Sequence, residues 1–207
     1  ALEIMERKGI ELVTNNTDQS FPFGANENCY LLIEVDGNKM DSIYEESEVI
    51  NTVLEEYGAT NVLFAENGAE KEKLWKARRS IGEIVKFKNT FKEEDTVVPR
   101  AYLPELINYL EVLEKEYGFE SICYGHAGDG NLHINILKKE LSEEKWNKEL
   151  PLAIKKLFTK CNDLNGTISG EHGIGIVQKE YLPIVMEPIH FQLMKGIKNA
   201  FDPKGIM

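Results

Sequence analysis

Two of the four histidines in this 207-residue chain lie in Gly125-His126-Ala127-Gly128-Asp129-Gly130-Asn131-Leu132-His133-Ile134-Asn135. An apolar run, Ser121-Ile122-Cys123-Tyr124, leads into this glycine-rich turn, and beyond it Asn131, His133 and Asn135 alternate with Leu132, Ile134 and Ile136. A period of two is the signature of a strand, and the turn makes the two runs a hairpin. With His126 opposite Asn131, His133 falls opposite Tyr124. His126, His133, Asn131 and Asn135 then share one face, and the leucine and isoleucines share the other. Imidazoles and amides on a strand give up apolar burial unless their face is a site or a wet edge. A functional face and an accidental pair of structural histidines are both open on this segment alone.

The second dense segment is Gly166-Thr167-Ile168-Ser169-Gly170-Glu171-His172-Gly173-Ile174-Gly175. Glycine at this density costs backbone entropy that some close approach must justify. It lacks the three-glycine spacing of a dinucleotide fingerprint and the lysine of a phosphate loop. Glu171 and His172 are neighbours, which sets them on different sides of an extended chain. His126, His133 and Glu171 together have the composition of a two-histidine, one-carboxylate site for zinc, manganese or ferrous iron with positions left for substrate. Such an ion could hold the carboxylate and hydroxyl of an α-hydroxy acid, with His172 standing by as base. Helix capping for Glu171 and loop hydrogen bonding for His172 are the alternatives. Arg78 stands near Trp75, where an arginine ordinarily lies over a ring or closes a salt bridge.

The elements that must carry these residues follow from periodicity and punctuation. Residues 1–8 read as a short helix stopped by Gly9, and 14–28 as a polar loop. Strands are expected at 29–35, 61–65 and 95–98, the last ended by Pro99. Helices are expected at 41–57, 69–81, 103–117 with Gly118 as its end, and from Pro151 to about Cys161, after a helical turn at 141–147. A final helix covers about 187–200, within a helical tail at 184–201, and His190 on it reads as an ordinary histidine. The order gives an α+β fold, a largely antiparallel sheet with helices packed on one face, in a single domain over 1–207.

The formal charge of −11, from 35 acidic and 24 basic residues, argues against a nucleic-acid or anionic-membrane partner, since the lysines are interspersed with glutamates. No run is long and apolar enough to form a transmembrane segment, and no signal-peptide pattern opens the chain. Cys29, Cys123 and Cys161 read as reduced core thiols of a cytoplasmic protein.

The motifs at 125–133 and 168–175 resemble the paired signatures of the C-terminal domain of FAD-linked oxidases. These are flavoproteins of the vanillyl-alcohol-oxidase type, a group that includes the glycolate oxidase D subunit, D-lactate dehydrogenase and D-2-hydroxyglutarate dehydrogenase. Leu74-Trp75-Lys76-Ala77-Arg78, Asp95-Thr96-Val97-Val98-Pro99-Arg100 and Phe201-Asp202-Pro203 resemble further family segments, in the family's order. The resemblance implies a ferredoxin-like core that caps an N-terminal FAD-binding domain outside this chain, so that the isolated fragment is inactive. It implies oxidation of a D-2-hydroxy acid to the 2-oxo acid, with hydride passing to flavin N5. His126, His133 and Glu171 would be ligands in metal-dependent members, and His172 the base. Arg78 would pair with the substrate carboxylate, and Asn131 would position substrate or flavin. An electron-transfer subunit or protein is the implied partner, and through it the cytoplasmic enzyme could be peripheral to a membrane. Dicarboxylate-specific relatives carry a lysine shortly before the aspartate that precedes the proline. Here Lys92-Glu93-Glu94-Asp95 displaces it, which favours D-lactate or glycolate. A non-enzymatic metal-binding or interaction domain with the same His/His/Glu cluster is the other reading.

Overall fold

The hairpin forms in the register that its alternation requires. Strand β4 (Glu120–His126) pairs antiparallel with β5 (Asn131–Leu137), with His126 opposite Asn131 and Tyr124 opposite His133. The apolar face carries Leu132, Ile134 and Ile136, each almost fully buried. These contacts belong to a computed structural model that describes residues 1–18 and 27–206. The part of the expected polar loop at 19–26 lies outside the described residues.

On the other side of β4 lies β1 (Leu2–Glu6), with Met5 opposite Tyr124 and Ile4 opposite Gly125. β2 (Cys29–Ile33) pairs antiparallel with β1, and β3 (Phe91–Val97) neighbours β5, giving the sheet order β2-β1-β4-β5-β3. The helix expected at 1–8 is therefore corrected to a strand followed by α1 (Arg7–Asn16), which continues through Gly9. Five residues are too few to separate a period of two from one of 3.6, and pairing on both sides decides the matter. Gly9 sits inside α1 because a Cβ there would meet Ile81 Cδ1 at 3.1 Å, so its small size sets how closely α1 packs.

The chain divides into two units, Ala1–Glu94 with Phe119–Leu141, and Asp95–Gly118 with Ser142–Met207. In the first, α2 (Met40–Glu56) and α3 (Gly68–Lys88) join α1. α1 packs on α3 and on β4 around Met5, Ile10, Val13, Ala77, Ile81, Val85, Ile122 and Tyr124. α3 begins where the Asn67 side chain accepts the N–H groups of Ala69 and Glu70. It runs beyond Ile81 because Val85 continues the stripe of Ala77 and Ile81; each buried aliphatic side chain contributes roughly 1.5–3 kcal/mol. The strand expected at 61–65 does not form. Asn61 takes a left-handed φ of 53°, and Leu63 and Phe64 are exposed.

In the second unit, α4 (Leu103–Tyr117) packs on α5 (Leu150–Asp163), each led by an early proline and followed by α6 (Leu182–Val185) and α7 (Pro188–Phe201). The buried faces carry Leu106, Leu110 and Leu113 on α4 and Leu157, Phe158 and Cys161 on α5, with Phe158 edge-on to Tyr181. A short π-helical turn, Lys145–Glu149, precedes α5. His190 closes the start of α7, its Nδ1 accepting the Glu187 N–H at 3.0 Å. All three cysteines are free; Cys123 and Cys161 are core thiols, whereas Cys29, at the first position of edge strand β2, is exposed and departs from that expectation. Among the described residues no helix is long and apolar enough to cross a membrane.

Candidate active site

Four of the residues singled out in the sequence meet on one face of the first unit. His126, Asn131 and His133 come from the hairpin, and Arg78 reaches them from α3. The two imidazoles meet edge-on with centroids 5.4 Å apart, and His133 lies 5.4 Å from the Tyr124 ring. Arg78 places its guanidinium over Tyr124, 4.6 Å from the ring centroid, and not over Trp75, which instead donates to Glu34. Cation–π stacking needs a ring face in the direction the arginine takes from the helix, and the sheet supplies it.

The residue that joins this group was not anticipated. Glu3, on β1 and 4% exposed, accepts from Arg78 Nε at 2.9 Å and lies 2.9 Å from Arg78 Nη2, both on Oε2. Its other oxygen, Oε1, is 2.8 Å from His126 Nδ1. The signal available in the sequence was an acid inside the apolar run Ala1-Leu2-Glu3-Ile4-Met5, which a buried strand tolerates only when the charge is paired. Glu93 on β3 brings a carboxylate oxygen within 4.8 Å of a His133 ring nitrogen. Burial first, and the Glu93 charge second, push the Tyr124 phenol up, while the Asn135 amide and Arg78 pull the other way. Tyr124 therefore stays a neutral phenol across the physiological range.

Glu171 and His172 belong to the second unit, where a different acid organises them. Asp95 Oδ2 accepts the N–H groups of Gly170, Glu171 and His172 at 2.9, 2.7 and 2.8 Å. Val97 and Thr167 exchange two main-chain bonds of 3.0 and 2.8 Å just before this loop. Gly166 permits that pairing, since a Cβ there would stand 2.1 Å from the Val97 carbonyl oxygen. With three N–H groups turned onto one oxygen, the segment is bent and not extended. The two side chains consequently lie on neighbouring sides, Glu171 Oε1 being 3.8 Å from His172 Nε2. Both are exposed to solvent.

The model of one family, the FAD-linked oxidases, C-terminal domain, matches residues 1–207. This chain belongs to that family. It is similar to longer enzymes: it is 34% identical over 216 residues to a D-lactate dehydrogenase of Anaerostipes hadrus, and 28% identical over 210 residues to a D-2-hydroxyglutarate dehydrogenase of Stutzerimonas stutzeri (strain A1501). Each match takes in 100% of this chain and 45% of the relative, so the chain spans about half the length of the curated relatives it matches. The fold is shared with a 4-ethylphenol oxidase from Gulosibacter chungangensis in its isoeugenol complex, at a TM-score of 0.58 and 12% identity, over 100% of this chain and 46% of that one.

Within this FAD-linked oxidase domain the histidine pair fits the needs of a divalent metal. The two rings sit on one face of paired strands, each offering a nitrogen within 4.8 Å of the other. A carboxylate at Nδ1 of His126 is the usual outer-shell partner of a ligating imidazole, which then coordinates through Nε2.

Proposed function

We propose that this chain is the cap and substrate domain of an FAD-dependent dehydrogenase or oxidase that converts a D-2-hydroxy acid, D-lactate or glycolate, to its 2-oxo acid. Family membership and the names of the relatives support the reaction class. The observation that carries the reading is the buried polar face of the first unit, where a stacked arginine and two histidines share one surface. When bound, FAD held mainly by residues outside this chain supplies the hydride acceptor, and a zinc, manganese or iron ion on His126, His133 and Glu171 supplies a Lewis acid.

The chain's own residues do the rest. Arg78 binds the substrate carboxylate through the guanidinium N–H groups that Glu3 does not engage, its plane being held by Glu3 and Tyr124. Asn131, 5% exposed and opposite His126, orients the bound acid or the flavin. His172 takes the hydroxyl proton, imidazole being the side chain best suited to general-base chemistry at neutral pH. Glu93 beside His133 disfavours a second substrate carboxylate, which supports a monocarboxylate over 2-hydroxyglutarate.

The chain dialysed after purification is expected to retain one divalent ion per molecule by elemental analysis, and His126→Ala or His133→Ala to lose it. Anaerobic addition of D-lactate or glycolate to the full-length protein is expected to bleach its flavin absorption. A full-length protein that binds no flavin overturns the enzymatic reading.

A further inference from the structure

We propose that Glu3 is a positioning residue that sets both the tautomer of His126 and the orientation of Arg78. The inference rests on the reading of His126 as a metal ligand and Arg78 as a carboxylate anchor, and it extends that reading to a residue of β1. Each oxygen of Glu3 has its own task. Oε2 takes Nε and Nη2 of Arg78, both at 2.9 Å, and so fixes the plane that stacks on Tyr124. Oε1 lies 2.8 Å from Nδ1 of His126, and a carboxylate can only accept there, so Nδ1 carries the proton and the neutral ring presents its Nε2 lone pair to a ligand. A salt bridge serving stability alone would need only the first contact. Both side chains of the Arg78–Glu3 pair are more than nine-tenths buried, so the carboxylate is held against exchange with water.

The test is Glu3→Gln, which keeps the size. The amide oxygen is expected to stay with Arg78, turning the amide N–H₂ toward Nδ1 of His126 and moving the ring proton to Nε2. Nitrogen NMR of the imidazoles reads this without metal or flavin. Wild type is expected to show Nδ1-protonated His126 and the variant the opposite tautomer. Zinc affinity, measured by competition with a chromophoric chelator, is expected to fall about 10–100-fold. Glu3→Asp keeps the charge for Arg78 but shortens the reach to Nδ1, and is expected to give mixed tautomers with circular dichroism unchanged. One and the same tautomer in wild type and both variants overturns the role of Glu3. A tautomer switch in a chain that never binds zinc leaves that role standing and removes the metal reading instead.

Discussion

Asp95 Oδ2 collects three successive main-chain N–H groups, those of Gly170, Glu171 and His172. Charged acceptors shared by several donors hold a loop more firmly than neutral ones. Asp95→Ala is accordingly expected to lower stability by about 2 kcal/mol in urea unfolding. It should also speed amide exchange at Gly170, Glu171 and His172; amides that stay as protected as in wild type would show that the loop is held by something else. The glycine-rich segment was conspicuous in the sequence, but the acid that organises it was not. Its bonds span 75 to 77 residues, and contacts of that range leave no local period to read. Glu3 was missed for the same reason, being 75 residues from Arg78 and 123 from His126. The polar residues that gather on one face of the hairpin were legible; the acids that contact Arg78, His126 and the 170–172 loop were not.

Among the elements, the hairpin was readable down to its register because alternation and turn lie within one short stretch, and the apolar stripes of α4 and α5 were readable because they repeat over several turns. β1 was misread because an isolated five-residue run takes its conformation from its neighbours. The segment at 61–65 was misread the other way: apolar composition favoured a strand, but the left-handed Asn61 interrupts it. α5 carries a consequence of its buried face. Burial pushes the Cys161 thiol up to about 12 from an ordinary 9.0, against weaker opposing hydrogen bonds, one of them to Thr96. Between those two pH values the folded chain keeps a proton that the unfolded chain has released. The contribution is therefore complete below pH 9 and is lost as pH rises toward 12. Denaturant unfolding across that range should show a shallower alkaline decline for Cys161→Ala than for wild type, from a starting stability lower by about 1 kcal/mol for the lost packing. Parallel declines would place the alkaline sensitivity elsewhere.

For the whole molecule, the charge of −11 and an isoelectric point near 5.0 describe a chain kept apart from its copies by repulsion at neutral pH. Light scattering should rise and solubility should pass through a minimum as pH falls to about 5; constant solubility there would mean that charge is not what keeps the chain dispersed. The family was legible from five separated motifs, since motif order survives where overall identity is near a third. The division into two units was not, because each is assembled from two stretches that interleave along the chain. That interleaving has a bearing on biosynthesis. β1 is synthesised before its two sheet neighbours, and β2 can cover one of its edges soon afterwards, but β4 does not yet exist. At roughly 5–20 residues per second, the stretch between them takes on the order of ten seconds to make. Throughout that time the nascent chain carries an open strand edge and, in Glu3, an acid still waiting for its histidine, which makes the strand Leu2–Glu6 the natural target for a chaperone.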